Sequence, residues 1–246
     1  MTKFDRWLGA AATAACVAAG SLATAGQAAA EPDPQACPDI QVVFARGTFE
    51  APGVGGTGQA FVDALRAKAA GKSVDVYPVN YPASLDFATA ADGVVDAGNK
   101  IRATVAACPD AKVVLGGFSQ GAAVAAYITA DAVPEGFALP PGLTGPLEPS
   151  VADHVAAVAL LGKPSSGFLQ MIYTGAPPIT VGAGYAGKTL DLCIPTDPVC
   201  APGGGDGNAH NMYVANGLVD QAAEFAASRS GATATGDPVV DHATGR

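Results

Sequence analysis

Short apolar runs alternate with longer amphipathic stretches along most of the chain. Five runs rich in β-branched or apolar residues predict strands: 40–45, 74–79, 112–116, 155–161 and 189–192. Helical spacing of small and apolar residues predicts helices over 60–70, 87–107, 120–130 and 212–227. This alternation of strand and helix predicts a single α/β domain, with a mostly parallel five-stranded sheet and helices on both faces.

The first thirty residues have the order of charged, apolar and small residues that is typical of a secretory signal. Lys3 and Arg6 precede an uncharged stretch over 8–25, and Ala30 ends an A-x-A cleavage site. A membrane anchor is disfavoured, because the stretch is dominated by Ala, Gly and Thr, which transfer poorly into hydrocarbon. A lipoprotein signal on Cys16 is also disfavoured, because the lipobox is missing. We therefore expect export to the extracellular space or the cell wall. The expected parts are a cleaved signal peptide over 1–30, a folded domain over 31–228 and a flexible tail over 229–246.

The overall charge excludes several classes of partner. The chain carries 13 Lys+Arg against 22 Asp+Glu, a formal net charge of −9, and no basic cluster. A nucleic-acid binder needs a basic footprint, and docking to an anionic membrane surface needs clustered Lys or Arg. We expect no nucleic-acid partner, no stable membrane insertion and a monomer.

The cysteine count suggests two disulfides. Loss of Cys16 with the signal leaves four cysteines, and an even number in an exported chain predicts pairing. Three pairings are possible. The closeness of Cys193 and Cys200 favours their pairing, which would leave Cys37 with Cys108. No C-x-x-C motif or suitably spaced His accompanies them, so we expect no metal site.

The segment Gly117-Phe118-Ser119-Gln120-Gly121 follows an apolar strand and opens an alanine-rich helix. This is the context of a nucleophile elbow, in which a serine occupies a strained turn and small residues are needed two positions to either side. The N-terminus of the following helix favours negative charge near the serine. Ser119 is therefore the candidate nucleophile.

The chain has only three histidines that could serve as the base. His242 falls in the predicted tail, and His154 begins a strand at the sheet edge opposite the elbow. His210 follows the last predicted strand, where α/β-hydrolases carry their base.

The acidic partner of the base is expected between Ser119 and His210. Asp197 lies inside the Cys193–Cys200 loop, which a disulfide would hold rigid, so its carboxylate could orient an imidazole. Asp191 is expected within the last strand and Asp206 in a glycine-rich stretch, both as solvated charges.

A glycine-rich segment matches a dinucleotide-binding motif, but the rest of the sequence disfavours that function. Residues 53–58 (GVGGTG) contain a G-x-G-x-x-G pattern after a strand and before a helix, as in dinucleotide-binding proteins. The glycines come several residues after the strand, and 216 residues without the signal leave no room for a separate substrate domain. We therefore expect a loop that borders the site.

Four segments together resemble the cutinase family, above all the secreted cutinase-like carboxylesterases of mycobacteria: 44–48 (FARGT), 117–121 (GFSQG), 197–200 (DPVC) and His210. The resemblance extends from Cys37 to about Ala227, and the four cysteines fall where the family has two disulfides. Two departures are Thr48, where many members have Ser, and Lys163, where an acidic residue is expected.

The resemblance implies a single domain of the α/β-hydrolase type, roles for five residues and no cofactor. Ser119 would be the nucleophile, His210 the base and Asp197 its partner. The backbone N–H groups of Thr48 and Gln120 would form the oxyanion hole.

The expected function is hydrolysis of short- to medium-chain lipid-like or cutin-type esters, including polyesters, through an acyl-enzyme. Phospholipase or lipase activity on the same triad, a peptidase and a non-catalytic surface-binding module remain alternatives. The acyl chain is expected in a groove beside Ser119, although the same residues could be ordinary core. Its candidate residues are Leu85, Phe168, Met171, Ile172, Ile179 and Val199.

Overall fold

The computed structural model describes residues 37–133 and 139–232. The predicted signal peptide, His242 and most of the predicted tail lie outside these ranges. Within them, none of the helices has the length and apolar character needed to cross a bilayer.

A five-stranded, wholly parallel sheet forms the centre of the domain, with the strand order β2-β1-β3-β4-β5. Its strands are β1 (Ile40–Ala45), β2 (Val74–Pro78), β3 (Lys112–Phe118), β4 (Val155–Leu161) and β5 (Thr189–Leu192). The chain turns outward from β1 to β2 and then returns to the other side of β1 with β3. Ligands of parallel sheets bind at such a switch point, beyond the carboxyl ends of the strands. The ends of β1 and β3 meet there, with Ala45 opposite Gly117.

Helices cover both faces of the sheet, as predicted. They are α1 (Gly55–Lys68), α2 (Ala90–Ala107), α3 (Gln120–Ile128), α4 (Ser166–Ile172), α5 (Ala183–Ala186) and α6 (Leu218–Arg229). Alternation along β1 divides the core into two layers. Phe44 packs with residues of α1 and α6 on one face, and Val43 packs with residues of α2 and α3 on the other.

Two helices begin at residues that differ from the prediction. Helix α1 starts at Gly55, five residues early, because tertiary contacts outweigh the low helix propensity of glycine. A Cβ on Gly58 would press against the Phe44 ring at 2.7 Å, so that position requires glycine. Helix α6 starts at Leu218 rather than at residue 212, after Gly217 with φ of 73°. Its end at Arg229 is followed by the buried Ser230 and Ala232, so the packed chain continues past residue 228.

Both disulfides are present with the favoured pairing. Cys37 is bonded to Cys108 across 71 residues, and Cys193 to Cys200 across 7 residues. The first joins the start of the domain to the end of α2. The second closes the loop that carries Asp197.

Candidate active site

Ser119 occupies the turn between β3 and α3 in a strained conformation. Its φ of 55° and ψ of −121° are rare for a residue with a side chain. Gly117 and Gly121 make the turn possible, because a Cβ on Gly117 would overlap the Gly121 carbonyl and a Cβ on Gly121 would overlap the Ala45 carbonyl. The local geometry is that of a nucleophile elbow.

The structure brings the three candidate catalytic residues into one hydrogen-bonded chain. His210 Nε2 lies 2.8 Å from Ser119 Oγ, and His210 Nδ1 lies 2.7 Å from Asp197 Oδ2. The imidazole is partly exposed, whereas the Asp197 side chain is fully buried. A nucleophile, a base and an orienting acid at these distances form the arrangement needed for acyl transfer.

The Asp197 carboxylate has hydrogen-bond partners in addition to the His210 imidazole. Its Oδ1 accepts a hydrogen bond from the Val199 N–H at 2.8 Å, and its Oδ2 accepts another from the Tyr213 hydroxyl at 2.8 Å. Burial, and then the hydrogen bond to Asp197, raise the pKa of Tyr213, so its hydroxyl stays protonated and remains a donor. The Cys200 sulfur also packs 3.3 Å from Oδ2. These contacts leave the carboxylate one orientation, toward His210.

Aromatic packing fixes the imidazole plane. The Phe118 ring stacks on His210 with centroids 4.9 Å apart and an interplanar angle of 26°, and Tyr213 meets both rings edge-on. Gly162, with φ of 60°, follows β4 and lies close to the Tyr213 and His210 rings. A Cβ there would lie 2.9 Å from the Tyr213 hydroxyl and 3.2 Å from His210 Cε1.

Hydrogen bonds from the buried Arg46 and the half-buried Glu50 hold the loop that carries Thr48. Arg46 donates from Nε to the Glu50 carbonyl at 2.9 Å and from a terminal nitrogen to the Tyr81 carbonyl at 2.6 Å. The Glu50 carboxylate accepts hydrogen bonds from the Gly47 N–H at 2.6 Å and from the Gly56 N–H at 2.7 Å. This carboxylate therefore ties the end of β1 to the start of α1, with Thr48 between them.

The same contacts explain the glycine-rich segment at 53–58. Gly55, with φ of 75°, leaves space that the Glu50 carboxylate occupies, and a Cβ at this position would overlap it. The expected loop is therefore wrong for residues 55–58, which form the first turn of α1, and an anion is held at this helix N-terminus. That anion is the carboxylate of Glu50, a residue that sequence reasoning had not singled out.

The alternative candidates for base and acid that the structure describes contact groups other than Ser119 and His210. His154 Nδ1 contacts the Pro109 carbonyl at 3.0 Å, next to the N-terminal end of β4. Asp191 is exposed and pairs with Lys163 at 3.2 Å. Asp206 accepts a hydrogen bond from the Asn208 N–H within its own loop.

The six candidate groove residues differ in their exposure. Leu85 and Met171 are exposed, and Ile179 packs against the core layer on the α2 and α3 face. Phe168 and Val199 are half-buried. Only Ile172 of the six borders the apolar cavity that also borders Gln120.

The cutinase family model matches residues 36–230. The chain belongs to the cutinase family. Carboxylesterase Culp1 of Mycobacterium tuberculosis is 50% identical over 208 residues, covering 84% of this chain and 88% of the relative. Phospholipase Culp4 of the same organism is 46% identical over 205 residues, covering 82% of this chain and 83% of the relative. This cutinase-family protein is therefore a carboxylic ester hydrolase.

Solved structures agree on the fold. A Trichoderma reesei cutinase in complex with a phosphonate inhibitor superimposes with a TM-score of 0.57 at 29% identity, covering 79% of this chain and 77% of that one. An acetyl xylan esterase superimposes with a TM-score of 0.61 at 24% identity, covering 79% and 100%. The architecture is the α/β-hydrolase fold.

Proposed function

We propose that this cutinase-family protein is a secreted serine esterase that uses Ser119, His210 and Asp197 as its catalytic triad. The hydrogen-bonded chain from Ser119 Oγ through the imidazole to Asp197 is the observation that carries the proposal. The two disulfides support export, because such bonds persist in oxidising compartments.

The geometry suits transfer of the serine proton at the moment of attack. Asp197 accepts from the Nδ1–H of His210, which leaves the Nε2 lone pair free for the Ser119 hydroxyl proton. Ser119 Oγ then bonds to the ester carbonyl carbon, and the imidazolium returns the proton to the departing alkoxide. Water repeats the sequence on the acyl-enzyme and restores Ser119.

The developing oxyanion would be bound by two backbone N–H groups. Gln120 is the first residue of α3, where a helical N–H has no acceptor within the helix and the helix dipole favours negative charge. Thr48 provides the second N–H from the loop at the end of β1. The register that places Ala45 opposite Gly117 brings this loop toward Ser119. Donors preorganised in this way contribute much of the rate in acyl transfer.

Serine-directed labelling tests the proposal directly. An alkyl phosphonate ester is expected to attach to Ser119, because among the serines that the structure describes it is the one hydrogen-bonded to an imidazole. Peptide mass spectrometry would locate the adduct, and esterase activity should fall in proportion to labelling. A His210→Ala variant is the control and should label far more slowly. An adduct on any other residue, or full labelling without loss of activity, would refute the triad.

Glu50 is expected to affect the chemical step through the Thr48 loop. In a Glu50→Gln variant, the amide oxygen can accept from only one of the Gly47 and Gly56 N–H groups. The amide NH2 would lie against the other N–H, so one hydrogen bond is lost. We expect kcat to fall about tenfold with KM nearly unchanged, because a displaced Thr48 N–H would stabilise the transition state less well. Complete loss of one oxyanion donor lowers kcat by roughly 10²–10³.

Glu224→Gln is the matched control for Glu50→Gln. Glu224 of α6 forms an exposed ion pair with Lys68 and should leave kcat and KM unchanged. A Glu50→Gln enzyme that loses thermal stability while keeping its kcat would show that Glu50 supports only the loop.

Short- to medium-chain lipid-like esters are the proposed substrates. The similarity to a protein named as a phospholipase makes phospholipid the specific alternative. Initial rates on p-nitrophenyl octanoate and on phosphatidylcholine vesicles, measured with one preparation, would separate them. A rate on the phospholipid equal to that on the simple ester would favour the alternative.

A further inference from the structure

The turn at the end of β1 holds an aromatic residue in a conformation that usually requires glycine. The Glu50 N–H donates to the Gly47 carbonyl at 3.2 Å, so residues 47–50 form a β-turn. Its third residue, Phe49, has φ of 65°, whereas Thr48 is not among the described residues with positive φ, and this combination defines a type II turn. A side chain at this position is strained, and glycine would adopt the same turn without that strain.

Hydrogen bonds connect this turn to the start of α3. In a type II turn the peptide group between the two central residues is flipped relative to type I, and here the Phe49 N–H donates to the Ala83 carbonyl at 2.8 Å. The carbonyl of the next residue, Ser84, accepts a hydrogen bond from the Gln120 side chain at 3.0 Å. Because Gln120 directly follows Ser119, the turn is joined to the candidate site by two hydrogen bonds and one peptide unit.

Strained backbone is concentrated around the candidate site. In the part of the chain that the structure describes, four residues other than glycine have positive φ. Ser119 is the candidate nucleophile, and Phe49 and Ala83 are hydrogen-bonded to each other beside it. The fourth, Ala70, is exposed at the end of α1. Strain of this kind persists mainly where a function depends on it.

The Phe49 side chain does not contribute to the core. Its exposed fraction is 74%, the highest among the exposed large hydrophobic residues that the structure describes. An aromatic ring in water forgoes the favourable free energy of burial, and a left-handed backbone adds to the unfavourable side. A residue that is both exposed and strained lowers the stability of the free enzyme, so the ring is available to a ligand.

The turn adjoins the side of the site on which the alcohol departs. His210 Nε2 returns its proton to the oxygen of the leaving alcohol, so this part of the ester must lie beside the imidazole. The Phe118 ring stacks on His210, and Gly47 lies against the same ring, since a Cβ on Gly47 would be 2.9 Å from Phe118 Cδ1. Phe49 follows Gly47 by two residues in the same turn.

We propose that Phe49 is a specificity-determining residue that contacts the alcohol part of the ester and favours aromatic alcohols over small ones. This inference rests on the proposed triad and its leaving-group step. Aromatic rings attract one another in offset or edge-to-face arrangements, and their contact removes apolar area of both rings from water. Recognition of the alcohol would explain why the chain keeps a phenylalanine in a turn that glycine would form with less strain.

Acetate esters of two alcohols provide the test. Ethyl acetate and 2-phenylethyl acetate share the acyl group, and their alcohols have similar acidity, so the ratio of their kcat/KM values measures recognition of the alcohol. Phe49→Asn removes the ring but keeps a residue that tolerates the left-handed region, and it should lower the phenylethyl-to-ethyl ratio about tenfold. Phe49→Trp keeps an aromatic ring and should leave this ratio at or above that of wild type.

Ala70→Gly is the matched control for relief of strain. Phe49→Gly and Ala70→Gly each replace a left-handed residue with glycine, so each should raise the melting temperature by about 1–3 °C. Only Phe49→Gly should also lower the phenylethyl-to-ethyl ratio, because Ala70 lies at the end of α1. If Phe49→Gly failed to fold, Phe49→Asn would still decide.

Three outcomes would overturn the inference. An unchanged ratio in Phe49→Asn would remove Phe49 from alcohol recognition, and equal losses on both esters would show that it only shapes the turn. A lower melting temperature in Phe49→Gly would show that the ring supports the fold. An unchanged ratio with weaker cosedimentation of Phe49→Asn with phosphatidylcholine vesicles would assign the ring to a lipid surface. Failure of the triad is distinguishable, because Ser119→Ala would then hydrolyse both esters at near-wild-type rates.

Discussion

Replacing Ser119 with alanine is expected to lower kcat by about 10⁴–10⁶, which corresponds to about 5–8 kcal/mol of lost transition-state stabilisation. The hydroxyl oxygen is the atom that bonds to the acyl carbon, and within the described residues no other side-chain hydroxyl is hydrogen-bonded to His210 Nε2. The oxyanion donors and the substrate-binding surface remain, so a residual rate above that in water should persist. Stopped assays on p-nitrophenyl octanoate at high enzyme concentration would measure this residual rate.

A second serine provides the control for that substitution. Ser165 caps α4, where its Oγ accepts a hydrogen bond from the Phe168 N–H at 3.2 Å. Ser165→Ala should cost about 1 kcal/mol of stability through the lost cap and leave kcat near that of wild type. Comparable losses of kcat in both variants, or near-native turnover in Ser119→Ala, would remove Ser119 from the mechanism.

Local sequence signals predicted the strands and the elbow accurately. Strands β4 and β5 have the predicted bounds. Strand β4 is an apolar run set between His154 and Gly162, and β5 alternates polar Thr189 and Asp191 with Leu190 and Leu192. The turn at Ser119 was equally predictable from sequence. Gly117 and Gly121 are required because a side chain at either position would overlap backbone atoms that are close in the chain or in the adjoining strand. Helix starts were less predictable, since the first turn of α1 depends on the contact of Gly55 with Glu50 and of Gly58 with Phe44.

Two supports of the candidate site were not predicted. Tyr213 lies three residues after His210 and was placed within the predicted closing helix, where an aromatic residue indicates core. The hydrogen bond from the Tyr213 hydroxyl to Asp197 depends on the path of the chain between His210 and Tyr213, and no local sequence pattern predicts that path. Glu50 could have been noticed in the sequence, because it is an acidic residue followed by Gly53 and Gly55. The same glycines are typical of a cofactor-binding motif, however, and the sequence does not show that Glu50 itself accepts their backbone hydrogen bonds.

Replacing Asp197 with asparagine should produce the second large effect, a decrease in kcat of about 10⁴. The amide would retain the volume of the carboxylate, and its oxygen could still accept from the Val199 N–H. Its NH2 group would then face His210 Nδ1 and donate to it, which places the imidazole proton on Nε2. That nitrogen could no longer take the Ser119 proton. Steady-state kinetics on an octanoate ester, with circular dichroism to verify folding, would measure the loss.

Tyr213→Phe separates tautomer control from packing. This variant removes the hydroxyl bonded to Asp197 Oδ2 but keeps the carboxylate, the ring and its edge contacts with Phe118 and His210. Asp197 would still accept from Nδ1, so kcat should fall only about tenfold, the scale of one lost hydrogen bond to a charged group. If Tyr213→Phe were as inactive as Asp197→Asn, the geometry of the buried carboxylate would matter more than its charge. If Asp197→Asn kept more than a tenth of wild-type kcat, His210 would hold its working tautomer without Asp197, and the acid would have to be sought elsewhere.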